Sequence, residues 1–219
     1  MSRLRCAAKR WANRWLIVAA TTSSTLAAGC ASSPPLHYYT LTEVPAESRL
    51  AAADDTVPVR LDRVTIPTEL DRSQLVRRID ATRLQIIEGE RWAAPLEDTI
   101  RRVLSGDLAA RLPPNMVAHT NEPSIGEKRQ SLAVDIADLY GDAACTVTLR
   151  AAWVLKQPDS QSSRGTEELR VPVSGDCSRA GTLPTAMSQA LAQLSDRIAA
   201  AIVHPPAHPL ANPQGSTSR

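Results

Sequence analysis

Cysteine, histidine and clustered carboxylates are the side chains through which this chain could do chemistry. Its cysteines are Cys6, Cys30, Cys145 and Cys177, and its histidines are His37, His119, His204 and His208. The last two have the His-x-x-x-His spacing that places two imidazoles on one helical face, a common start for a zinc site. Here the run reads His-Pro-Pro-Ala-His-Pro, and proline prevents the helical turn that would bring the rings together. No metal site is expected. The carboxylate pairs Asp54/Asp55, Glu97/Asp98 and Glu167/Glu168 are sequence neighbours, so each pair diverges on a strand or helix and defaults to solvated surface. Ser105-Gly106-Asp107 and Ser174-Gly175-Asp176 are alike, but share a common turn composition. There is no Gly-x-Ser-x-Gly elbow, no phosphate-binding glycine loop and no His-Glu-x-x-His. With no candidate base beside a candidate nucleophile in a motif, neither an enzyme nor a cofactor is expected.

Cys30 stands apart because of what precedes it. Arg3, Arg5, Lys9, Arg10 and Arg14 make a basic start, and the first acidic residue is Glu43. An uncharged stretch follows, apolar at 15–20, and closes on Leu26-Ala27-Ala28-Gly29-Cys30. A basic region, an apolar centre and small residues at the cut form a secretory signal. Its end resembles the bacterial lipobox, which implies a thioether-linked diacylglycerol on Cys30, cleavage before it and acylation of the new amine. Three acyl chains exceed the two signals needed for stable anchoring, so the expectation is a chain anchored to a membrane without spanning it. Residue 31 is alanine rather than aspartate, which by analogy with the enterobacterial sorting rule points to the outer membrane, facing the periplasm.

Of 219 residues, 25 are Lys or Arg and 23 are Asp or Glu. Cleavage at Cys30 would remove five of the 25 basic residues and none of the 23 acidic ones, leaving a formal charge of −3. That balance, with no basic stretches interleaved with aromatics, argues against nucleic acid. A hydrophobic fraction of 43% excludes a disordered chain. No apolar run reaches 18 residues, which excludes a multi-span membrane protein. In an oxidising periplasm, Cys145 and Cys177 are expected to pair, with a redox pair or zinc ligation beside the tail histidines as the alternatives.

The elements that must position these residues follow from periodicity. Residues 37–42 (HYYTLT) predict a strand and 43–55 a loop. Val57, Val59 and Leu61 alternate, then Val64 and Ile66 take the other parity, predicting a bulge near Arg63. Residues 74–79 and 82–87 predict short strands, with Gly89 marking a turn before Arg91-Trp92. Leu96, Ile100, Val103, Leu104, Leu108 and Leu112 follow the 3.6 period and predict an amphipathic helix over 95–112, opened by Pro95 and stopped by Pro113-Pro114. A short strand is expected at 115–119. Leu132, Val134, Ile136, Asp138 and Tyr140 alternate with Ala133, Asp135, Ala137 and Leu139. Val147 through Leu155 is the cleanest strand, with Trp153 on its apolar side. A polar loop is expected at 157–165, then a strand through Leu169, Val171 and Val173. Leu183, Met187, Leu191, Leu194, Ile198 and Ile202 predict a closing helix. The fold class is α+β: a single domain with a largely antiparallel mixed sheet and two amphipathic helices packed on it. The expected division is a signal at 1–29, a lipidated tether at 30–36, the domain at 37–203 and a disordered Pro-rich tail at 204–219.

The order Leu61-Asp62-Arg63-Val64-Thr65-Ile66-Pro67, Leu70-Asp71-Arg72, Gln74-Leu75-Val76 and Arg91-Trp92-Ala93-Ala94-Pro95-Leu96 resembles the ABC-type transport auxiliary lipoproteins, which include the PqiC-like proteins. Tyr38-Tyr39-Thr40-Leu41 after the lipobox, and Leu191, Leu194-Ser195 and Ile198-Ala199 in the closing helix, extend the likeness across nearly the whole mature domain. The resemblance implies a non-enzymatic adaptor, anchored in the outer membrane, for an MCE-domain protein that bridges the periplasm for lipid or other hydrophobic cargo. It leaves self-association into a homo-oligomer open. Leu70, Asp71, Arg72, Arg91 and Trp92 are the candidate partner-binding residues. Each also has a structural alternative: a turn for the first three, stacking on Trp92 or pairing with Glu90 for Arg91, and core packing at the helix start for Trp92. A second reading is a lipoprotein that itself binds lipid in an apolar groove between helix and sheet.

Overall fold

The structure, a computed structural model, describes residues 35–53, 55–118, 128–159 and 161–204. Cys30, the signal and tether up to residue 34, His119, and the tail from 205, including His208, lie outside the described residues.

The described strands are β1 (His37–Tyr39), β2 (Val59–Thr65), β3 (Gln74–Arg78), β4 (Leu84–Trp92), β5 (Val117–Ala118), β6 (Gln130–Gly141), β7 (Thr146–Lys156) and β8 (Ser162–Pro172). The helices are α1 (Leu96–Arg111) and α2 (Leu183–Val203), the latter preceded by a short 3-10 turn. The long ladders β6–β7, β7–β8 and β3–β4 are antiparallel. The shorter β1–β4, β2–β5, β2–β6 and β3–β6 contacts are parallel. At 12 residues, β6 carries β7 along one edge. Its other edge meets β2 over its first half and β3 only at Gly141. One long strand thus joins two groups of short ones, and the sheet curls into a half-barrel. The fold is α+β with two helices on a mixed sheet, as the periodicity predicts.

Bulges decide which residues face the core. In β2 the register steps from Leu61 to Arg63 against adjacent residues of β6. Asp62 is the extra residue, so both Leu61 and Val64 face inward. In β6 the register steps from Ile136 to Asp138, making Ala137 extra. Before it, Leu132, Val134 and Ile136 are inward; after it, Leu139 is. The simple alternation over 132–140 is therefore corrected: after the bulge Leu139 takes the side of Ile136, and Asp138 and Tyr140 take the other, where both are still buried. Gly89 is a second correction. It is not a turn between elements but lies inside β4 at φ +77°, where two steps on β3 face five on β4. Only glycine adopts such a backbone without penalty. A third correction is the polar loop expected at 157–165: its last four residues, 162–165, are already strand, the start of β8.

Pro95 caps α1 at φ −49°, Glu97 and Asp98 favour the first-turn dipole, and Leu112 turns extended before Pro113-Pro114. The apolar stripe of α1 packs on β2 and β5 and against α2, while α2 packs on β6, β7 and β8. Every predicted stripe residue of both helices is at most 3% exposed. Cys145 and Cys177 are disulfide-bonded with Cα atoms 5.4 Å apart, tying the β6–β7 turn to the segment after β8.

Candidate functional site

Pro67 stops β2, and its carbonyl accepts the Leu70 and Asp71 N–H groups at 2.9 and 3.2 Å. This tight turn is pinned by Leu70, which is 3% exposed. Asp71 and Arg72 point from it into solvent. Ser73 then links the turn to β4. Its carbonyl accepts the Trp92 N–H at 2.7 Å, and its hydroxyl accepts from Arg91 Nη1 at 3.1 Å. The Tyr39 carbonyl accepts the Ala93 N–H at 2.8 Å. Tyr39 and Trp92 are register partners, as are Tyr38 and Arg91. Trp92 is buried in the core.

The five candidate partner residues thus converge on one corner of the sheet but divide in kind. Leu70 and Trp92 are core side chains that fix the corner's shape. Asp71, Arg72 and Arg91 are on its surface, with Tyr38 62% exposed beside them. The neighbouring β3–β4 hairpin is closed by Asp80, whose carboxylate accepts from the Thr82 and Arg83 N–H groups and from the Arg83 side chain. Those bonds, the Thr82 N–H first, hold the Asp80 pKa below its ordinary value. Ile79, Leu84 and Ile86 of this hairpin are exposed.

Periodicity alone does not show the buried charges. Asp107 is fully buried on α1. Its Oδ1 accepts the Val44 N–H at 2.8 Å, Arg111 Nη1 is 3.8 Å away, and Oδ2 has no partner among the described residues. Arg111 reaches Asp196 on α2 and also donates to the Val44 and Asp107 carbonyls. Burial pushes the Asp107 pKa up to about 6, against the opposing Val44 bond and the Arg111 charge. A signal was present: Asp107 and Arg111 are four apart and fall within the apolar stripe, where a charge needs a partner. On the sheet face opposite Leu139, Asp138 accepts from Arg78 at 2.8 Å and from Arg150, and the Arg78 guanidinium lies 4.5 Å from the ring centre of the buried Tyr140. Burial raises the Tyr140 pKa to about 12, with Glu69 adding.

Both helix stripes are packed, so neither presents an exposed apolar stripe among the described residues. Among the described residues, no three His, Cys, Asp or Glu side chains gather as a metal site requires, and no helix is long and apolar enough to cross a membrane.

A crystal structure of an uncharacterized protein matches the fold at TM-score 0.63 and 22% identity, over 77% of this chain and 99% of that one. A Xanthomonas campestris crystal structure matches at 0.57 and 17%, over 78% and 95%. In sequence, the chain is 26% identical over 143 residues to the intermembrane transport lipoprotein PqiC of Escherichia coli (strain K12), covering 65% of this chain and 73% of that protein. The Shigella flexneri PqiC matches to the same extent. Residues 39–199, from the β1 tyrosine through most of α2, match one family throughout, a transport family rather than an enzyme family. On that match over most of its length, the chain belongs to the ABC-type transport auxiliary lipoprotein component family.

Proposed function

We propose that this protein is the outer-membrane adaptor of an MCE-type transport system, anchored through lipid on Cys30 and facing the periplasm. Residues 1–29 are then the signal, 30–36 the lipidated tether, 37–203 the working domain and 204–219 a tail serving as a spacer. The domain docks an MCE-domain partner through the corner carrying Asp71, Arg72 and Arg91. The observation that carries this reading is the double link from Ser73 to Arg91 and Trp92, which makes two separated family motifs one surface. Leu70 and Trp92 act beneath it as rigid supports. Exposed Tyr38, Leu84 and Ile86 add the apolar area that an interface core needs. The PqiC relatives, named for intermembrane transport, support the transport context.

Crosslinking in membranes followed by pull-down should recover an MCE-domain protein. Reversing charge at Arg72 and Arg91 together should reduce that recovery at least tenfold, with the melting temperature preserved. Recovery unchanged by the double variant sinks the proposed surface, and no MCE partner in any crosslink sinks the adaptor role. Cys30→Ser should leave the chain without its lipid, which mass spectrometry of the membrane fraction reads directly.

A further inference from the structure

A cleft of about 790 Å³ opens between the β1–β4 corner and the loop 175–182. The sheet side supplies His37, Tyr39 and Glu90, and the loop side supplies Asp176 and Arg179. The loop approaches closely, since a Cβ added at Gly181 would lie 3.2 Å from the Tyr39 ring. The disulfide at Cys177 secures the loop's start.

The polar groups here are unequally satisfied. Asp176 is committed, accepting from the Ser178 N–H at 3.0 Å and its hydroxyl at 2.6 Å. Glu90 is not. Its side chain is 17% exposed, and Oε1 lies 3.2 Å from His37 Nδ1. Its Oε2 is buried without a hydrogen-bond partner among the described residues. The Glu90 carboxylate beside it, with burial adding, pushes the Tyr39 hydroxyl pKa up. A buried carboxylate oxygen lacking a donor is costly, and an incoming cationic donor would remove that cost. Arg179 is exposed, and its side chain makes no hydrogen bond or ion pair among the described residues. Arginine in that state is suited to a phosphate. The aromatic ring of Tyr39 beside the carboxylate adds the surface that ammonium groups favour.

We infer that this cleft binds a zwitterionic phosphoamine, its ammonium on Glu90 and its phosphate on Arg179. That chemistry is carried by an aminophospholipid headgroup and by its soluble phosphoamine counterpart. Placement favours the headgroup: β1 begins seven residues after Cys30, a reach of at most about 25 Å. This last step rests on the anchor proposed above, whereas the soluble-ligand test does not.

The test titrates the full, detergent-solubilised chain with phosphoethanolamine, ethanolamine and inorganic phosphate, read by calorimetry. Phosphoethanolamine should bind at least tenfold more tightly than either half. Glu90→Gln should weaken phosphoethanolamine and ethanolamine at least tenfold while leaving phosphate unchanged. Arg179→Gln should do the reverse for the phosphate half. Phosphoethanolamine binding within twofold of wild type in a folded Glu90→Gln protein overturns the site. Should that variant fail to fold, the exposed Arg179→Gln decides, and unchanged affinity there overturns it equally. Vesicle reconstitution separates the sources. Amides of 175–182 should gain hydrogen-exchange protection in phosphatidylethanolamine–phosphatidylglycerol vesicles over phosphatidylglycerol alone. Protection by soluble phosphoethanolamine without a vesicle difference rejects the headgroup and keeps the phosphoamine; no protection by either overturns the inference.

Discussion

Asp107 is ringed by groups from every element that touches it: Arg111 on its own helix, Glu43 and the Val44 N–H on the incoming segment, and Asp196 on α2. Desolvation wins over Arg111 and the Val44 bond, so the folded pKa of about 6 lies above the unfolded value near 3.8. The folded state therefore holds a proton that the unfolded state has lost across that interval. The stability from this group is full below the unfolded pKa and falls as pH rises through about 6, by about 3 kcal/mol at most. Asp107→Asn should flatten that part of the stability profile, measured by urea denaturation from pH 4 to 8. A slope equal to that of wild type would count against it. Asp80 and Asp176, whose pKa values are lowered, contribute with the opposite sign: their stabilisation is present above the unfolded carboxylate pKa and lost in stronger acid. The difference between wild type and variant removes them. Asp138 is the second test at this scale. Asp138→Ala leaves Arg78 and Arg150 without their shared acceptor, and because both arginines retain solvent contact the expected loss is about 1–3 kcal/mol.

At the scale of elements, bulges rather than turns shape the sheet. The extra residues at Asp62 and Ala137 let β2 and β6 change which parity faces the core without breaking their pairing. Gly89 absorbs the larger mismatch between β3 and β4, just before the strand end that carries Arg91 and Trp92. Gly89→Ala places a side chain at φ +77° and should cost about 1–2 kcal/mol. It should also weaken partner recovery through the displaced Arg91, whereas a mere loss of stability would leave recovery intact in protein that is still folded. Trp153 meets Gly165 across β7 and β8, where an added Cβ would come within 2.5 Å of the indole. Core packing thus accounts for that tryptophan.

For the whole molecule, the disulfide is the one covalent link between distant parts of the described fold. It spans 32 residues and joins the β6–β7 turn to the loop lining the cleft. Loop closure of that length should stabilise the fold by roughly 3–4 kcal/mol in the chain-entropy picture. Reduction, or Cys145→Ala with Cys177→Ala, should lower the urea midpoint correspondingly and raise hydrogen exchange in 175–182. An unchanged midpoint would show that the unfolded chain is not the state being constrained.

Helices and long strands were legible because a single period runs through each. Leu96 to Leu112 and Leu183 to Ile202 need only the 3.6-residue repeat, and Val147 to Leu155 needs only alternation. The bulge near Arg63 was legible too, since the parity change from Leu61 to Val64 has no other cheap explanation. The shift after Ala137 was not, because Asp138 and Tyr140 continue the alternation by position while pairing with Arg78 and Arg150 on the opposite face. Gly89 carried the right signal, a positive φ, but a turn and an intrastrand bulge ask for the same residue. At the candidate corner, the motif residues could be named from their order along the chain. Their division into buried supports and exposed contacts depended on Ser73 meeting Arg91 and Trp92. By itself, then, the sequence determined the elements, the α+β class and the family likeness, all of which depend on local repetition and motif order. Only the tertiary structure decided that Asp107, Arg111 and Asp196 share one buried network and that Glu90 and Arg179 share one cleft. Those groups are separated in the chain, and desolvation and Coulombic attraction act on distance in space.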